Sequence, residues 1–106
     1  MGEGDVLDRL WRAALAAADP GALVARSFAG RPPAPAGRRG LFACGKAALA
    51  MARGAPASLF ESMLVVVPHG TRVPRGWRGR VLFASHPEPD ASSVAAARAA
   101  LAFFRR

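Results

Sequence analysis

Leu41-Phe42-Ala43-Cys44-Gly45-Lys46-Ala47-Ala48-Leu49-Ala50-Met51-Ala52 decides the fold. Residues 41–44 are a short continuous apolar run, the pattern of a strand covered on both faces. One glycine separates them from strong helix formers that meet no turn signal before Gly54 and Pro56. A strand that turns straight into a helix predicts an α/β layer structure. The turn falls at the carboxyl end of its strand, where open parallel sheets bind ligands, and the helix opens with unpaired N–H groups and partial positive charge. Lys46 at this hinge opposes the helix dipole at a cost of a few tenths to about 1 kcal/mol, which a bound phosphate or carboxylate would offset. A lysine extended into solvent fits the same residues, so the turn alone leaves both readings open.

Downstream, residues 63–67 form a second apolar run rich in β-branched side chains and ended by Pro68, which predicts a strand parallel to the first. Residues 68–79 hold two prolines, three glycines and three arginines and read as an exposed loop at the carboxyl edge. A third strand over 81–84 follows. The loop before it is barely long enough for a parallel crossover without a helix, which leaves that strand's direction open. From Asp90, a capping residue, an amphipathic helix places Val94, Ala97, Leu101 and Phe104 on one face. Residues 40–106 thus make a β-α-β-β-α core.

Upstream, Leu7, Leu10, Trp11, Ala14 and Ala18 form one stripe of an amphipathic helix with Asp5 as its cap. Asp19-Pro20 then starts a shorter helix running to about Ser27. Two such helices cannot bury a core of their own, so residues 1–29 are read as a lead-in packed on the α/β unit. Residues 30–39, which open with Gly30 and hold three prolines before Gly37, are a connector.

The other polar stretch is Ser85-His86-Pro87-Glu88-Pro89-Asp90, where two prolines hold a histidine and two carboxylates at the mouth of the sheet. A rigid polar loop at a strand's carboxyl end is a site candidate, although helix capping alone explains an aspartate at position 90.

Composition narrows the function classes. The net charge is +8, but the 15 basic residues include one lysine, and the arginines are scattered among alanine, glycine and proline. Arg72, Arg75, Arg78 and Arg80 surround a single aromatic, Trp77, which is thin for a nucleic-acid surface, so no nucleic-acid partner is expected. The lone Cys44 excludes an internal disulfide and a cysteine-based zinc cluster, and its apolar strand favours packing over nucleophilic chemistry. No stretch has the apolar length of a membrane span and the acidic start is unlike a signal peptide, so no membrane partner and a cytoplasmic location are expected. At 106 residues the chain is small for a doubly wound sheet with its ligand site.

With both polar stretches in hand, the chain resembles the MOFRL-type glycerate kinases, glycerate 2-kinases that are sometimes labelled hydroxypyruvate reductases. The phrase Ala14-Leu15-Ala16-Ala17-Ala18-Asp19-Pro20 is similar to the family's opening. Gly45-Lys46-Ala47 to Met51-Ala52 is similar to its GKA…MA segment, and His86-Pro87-Glu88-Pro89-Asp90-Ala91-Ser92 to its HPxPD segment; order and spacing agree as well. Cys44 stands where the family has a small residue.

The resemblance implies a Rossmann-like, mostly parallel sheet with flanking helices, here the N-terminal part of a larger domain. It lacks the family's glycine- and serine-rich segment and its C-terminal domain, so independent catalysis is not expected. It implies phosphoryl transfer from ATP to glycerate, giving 2-phosphoglycerate, with Mg²⁺ helping to neutralise the phosphates. Lys46 would face the transferring phosphoryl group or the glycerate carboxylate, and Gly45 and Ser85 would bind phosphate or substrate. His86 and Asp90 would orient substrate or assist the hydroxyl proton. Two rival readings are an NAD(P)-dependent hydroxypyruvate reductase and a non-catalytic anion-binding fragment. Against the first, Cys44-Gly45-Lys46-Ala47 carries one glycine where a dinucleotide fingerprint needs GxGxxG; the turn also lacks the upstream glycine of a P-loop.

Overall fold

A computed structural model describes residues 2–31 and 37–105. The elements in chain order are α1 (Glu3–Ala17), α2 (Pro20–Gly30), β1 (Gly40–Cys44), α3 (Ala48–Gly54), a 3-10 turn (Ala57–Leu59), β2 (Ser62–Pro68), β3 (Arg80–Ala84) and α4 (Ala91–Phe104). The proline-rich part of the expected connector, residues 32–36, lies outside the described residues.

The three strands form one open sheet in the order β1-β2-β3, and both pairings are parallel. Phe42 pairs with Leu64 and Cys44 with Val66, while Leu64 pairs with Arg80 and Pro68 with Ala84. The fold is therefore α/β, as the strand-to-helix turn predicts, and the direction of the third strand is settled as parallel. The crossover from β2 to β3 uses no helix. Residues 69–79 descend along the sheet instead, and Val73 and Trp77 fold back against the core cluster of Ala48, Leu49, Ala52, Val65 and Val67. The loop read as simply exposed thus doubles as a cover for one face of the sheet, because a parallel return must cross that face.

Side-chain alternation divides the central strand between two layers. Val65 and Val67 face α3, whereas Leu64 and Val66 face α4, and all four are buried because β2 has neighbours on both edges and cover on both faces. The outer strand β1 is only half-buried, and Cys44, its last residue, is exposed; the expectation of a strand covered on both faces fails at this edge position.

The helices depart from expectation in two informative ways. On α4, Ala96 is buried and Ala99, Ala100 and Phe103 are half-buried, whereas Val94, Leu101 and Phe104 are more than half exposed. The helix is so rich in alanine that its apolar pattern does not single out one face, and the small residues win the sheet side because they let the backbone approach closely. Phe104 still meets Phe42 of β1 edge to face, with ring centroids 5.5 Å apart.

The lead-in divides. Helix α2 packs on α3, and Phe28 meets Phe60 edge-on at 5.8 Å. Helix α1 is exposed along its whole length, with Trp11 63% exposed, so the expected packing of both helices is corrected to α2 alone. The Cα radius of gyration, 16.8 Å, reflects this, since a compact domain of such length has about 13 Å. Asp5 sits inside the first turn, accepting the Gly2 N–H at 3.2 Å, and is not the cap; Asp19 is one, accepting from the Ala22 N–H at 2.9 Å. No helix among the described residues is long and apolar enough to cross a membrane.

Candidate functional site

Three parallel strands bring their carboxyl ends to one edge of the sheet, and each end leads into a loop that carries polar side chains. From β1 the chain enters Gly45 and Lys46. Gly45 has φ +111°, a conformation that favours glycine, and its N–H donates to the Val66 carbonyl at 3.0 Å, tying the turn to the central strand. A Cβ at Gly45 would meet no heavy atom within 4 Å, so the backbone here is open to an approaching ligand. Lys46 is exposed and lies in the turn, two positions ahead of α3. That helix has seven residues, and a dipole effect confined to its first turn opposes Lys46 less than the sequence reading assumes.

From β3 the chain enters Ser85, His86 and the two prolines, with a cis His86–Pro87 peptide. His86 and Glu88 are exposed, and Ser85 is half-buried. Asp90 caps α4: its Oδ1 accepts from the Ser92 N–H at 2.8 Å and from the Ser92 hydroxyl, while its own N–H donates to Ser93 Oγ at 3.1 Å. The Ser92 hydroxyl and then the Ser92 N–H hold the Asp90 carboxyl below its usual pKa. Capping therefore accounts for much of what Asp90 does, and its carboxylate is ionised at neutral pH.

The central strand supplies what sequence reasoning missed. His69, the residue after β2, donates its backbone N–H to the Ala84 carbonyl at 3.2 Å, and its Nε2 lies 3.2 Å from Ser92 Oγ. The Ser85 N–H reaches the same oxygen at 3.0 Å. Ser92 thus joins the ends of β2 and β3 to the start of α4. Only strand pairing brings His69 to this place, so no local motif announces it; position after an apolar strand was the one available signal.

The structure brings Gly45, Lys46, Ser85, His86 and Asp90 to one edge, with His69 between the two groups. A cavity of about 370 Å³, lined in part by Arg38, Gly40, Ser62 and Phe103, lies at the opposite, amino end of the strands. Among the described residues no group of three or more His, Cys, Asp or Glu side chains is placed to hold a metal ion. The arginine-flanked Trp77 is half-buried and packed against the core cluster.

Comparison with known proteins agrees with the sequence resemblance at a coarse level. A protein of Agrobacterium vitis named "Putative hydroxypyruvate reductase" is 41% identical over 95 residues, which cover 87% of this chain and 21% of that protein. The chain therefore spans about a fifth of the length of this relative. No solved structure matches. The family described as a domain of unknown function, DUF4147, matches residues 6–106, and the chain belongs to that family.

Proposed function

We propose that these residues are the N-terminal part of a glycerate 2-kinase, which transfers a phosphoryl group from ATP to a hydroxyl of glycerate. The observation that carries this reading is the placement of the Gly45-Lys46 turn and the Ser85–Asp90 loop on one carboxyl edge, with the end of the central strand between them. A phosphoryl group in transfer spreads negative charge over its oxygens, so catalysis is mainly positioning and charge stabilisation. Lys46 supplies a cation, and Gly45 lets backbone approach the phosphate or the glycerate carboxylate. Ser85 binds substrate, and His86 and Asp90 orient the acceptor or help move its proton. ATP, when bound, supplies the phosphoryl group. A Mg²⁺ ion held chiefly by nucleotide phosphates needs only one or two protein carboxylates, so a gathered cluster of acidic side chains is not required here.

The test is a coupled ADP-release assay with glycerate on a full-length form. Lys46→Ala should remove most activity and leave the fold intact, because alanine is at least as compatible with the turn into α3. Activity within a few-fold of the parent would sink the role of Lys46.

The name of the relative favours a second reading, an NAD(P)-dependent hydroxypyruvate reductase. The single glycine in Cys44-Gly45-Lys46-Ala47 speaks against a dinucleotide turn. Hydroxypyruvate-dependent oxidation of NADH or NADPH by the same preparation, without ADP release from ATP and glycerate, would decide for the reductase.

A further inference from the structure

Hydrogen counting around Ser92 fixes the orientation of a histidine outside the motif-derived site. A serine hydroxyl has one proton to donate and two lone pairs to accept with. Asp90, ionised, can only accept, so the Ser92 proton goes to its Oδ1. The Ser85 N–H can only donate, and it occupies one lone pair of Ser92 Oγ. The remaining lone pair faces His69 Nε2 at 3.2 Å, so this nitrogen must carry a proton and donate it. In the neutral ring Nδ1 is then the nitrogen with the lone pair. His69 is exposed, and Nδ1 has no partner among the described residues.

The location gives that lone pair a use. β2 is the middle strand: its last pair with β3, Pro68 with Ala84, sets His69 and Ser85 at the ends of adjacent strands, while its other neighbour, β1, ends at Cys44 opposite Val66. Lys46 leaves from one neighbour and Ser85 from the other. A substrate held by both sets of residues would lie across His69.

The geometry points to His69 as the proton acceptor for the substrate hydroxyl, with Ser92 and Asp90 as positioning residues that hold its ring. This inference rests on the phosphotransfer reading and assigns it a base. In the step, the hydroxyl oxygen bonds to the γ-phosphorus of a nucleoside triphosphate as the bond from that phosphorus to its bridging oxygen breaks. The diphosphate leaves with the electron pair, the hydroxyl proton passes to Nδ1 of His69, and the imidazolium returns it to water.

The experiment uses His69→Ala, His69→Gln, Ser92→Ala and Ser92→Thr in a full-length form, with glycerate and ATP. His69→Ala should lower kcat by roughly a hundredfold or more, leave KM for glycerate within a few-fold, and regain activity when imidazole is added. Where alanine loosens the loop, His69→Gln retains an amide donor for Ser92 and still lacks the base, so it should show the same loss of kcat. Ser92→Ala should lower kcat by a smaller factor and Ser92→Thr, which keeps the hydroxyl, should restore it. An active parent whose His69→Gln variant keeps kcat, or whose His69→Ala variant ignores imidazole, overturns the base role and leaves phosphorylation standing. A parent that phosphorylates no glycerate overturns the phosphotransfer reading and the base with it. Nitrogen-15 NMR of the 106-residue chain reads the ring separately: an Nε2–H proton that disappears in Ser92→Ala is expected, and an Nδ1–H ring overturns the assignment.

Discussion

Gly21 faces the carbonyl of Ala50 so closely that a Cβ placed on it would lie 2.8 Å from the oxygen. From the other side, a Cβ on Gly54 would meet the backbone of Gly21, 3.0 Å from its Cα. Helices α2 and α3 therefore cross backbone against backbone, and neither obstructing atom is the tip of a flexible side chain. Gly21→Ala and Gly54→Ala should each destabilise by about 1–3 kcal/mol, because the helices must separate to admit a methyl group. Urea midpoints check this. Gly4→Ala, where a Cβ meets only open space, is the control and should not destabilise.

Burial on the two sides of α4 sets a second comparison. Leu64 is 1% exposed beneath the helix, whereas Leu101 on the helix itself is 57% exposed. Leu64→Ala should cost about 2–5 kcal/mol and Leu101→Ala about 0.5 kcal/mol or less. Equal losses in thermal or urea unfolding would mean that the helix packs through its larger side chains after all.

For α1 the expected outcome is indifference. With Leu10 and Trp11 both more than half exposed, Leu10→Ala and Trp11→Ala should each move the unfolding free energy by less than about 0.5 kcal/mol. Phe28→Ala, which deletes the edge contact with Phe60, should cost more. Measured by the same urea titration, a large loss at Trp11 would show that the first helix docks.

Acid should act on the α4 cap. The Asp90 carboxyl titrates below its usual range in the folded chain, chiefly because the Ser92 hydroxyl donates to it. A depressed folded value means that the unfolded chain takes up this proton first as pH falls. The contribution is therefore complete at neutral pH, and it is lost as pH drops through the ordinary carboxylate range to the folded value. Ser92→Ala should raise the Asp90 titration toward the ordinary carboxylate position, followed by carbon-13 NMR of the side-chain carboxyl. An unchanged titration would show that the backbone donors dominate.

Much of this architecture is legible in the residues because local chemistry decides it. Asp19-Pro20 and Asp90 act as helix starts on capping grounds alone, and the β-branched run at 63–67 is a strand because four adjacent apolar residues need cover on both faces. The edge carrying Gly45, Lys46 and Ser85 follows from parallel pairing of successive strands. What local chemistry leaves open depends on contacts distant in sequence. The direction of β3 rests on Val73 and Trp77 finding the core, and His69 meets Ser92 across 23 positions. On α4 the failure is one of contrast, because alanines on every side conceal which face packs.

The return loop between β2 and β3 has a consequence for how damage would spread. Its first residue is His69 at the carboxyl edge of the sheet, and Trp77, eight positions on, packs against the core cluster with its indole Nε1 buried and without a hydrogen-bond partner. One short span therefore has its histidine end in solvent and its tryptophan end anchored against the core. A lesion at the anchor, such as Trp77→Ala, would be transmitted along the tether and register as a misplaced imidazole before it registers as an unfolded protein.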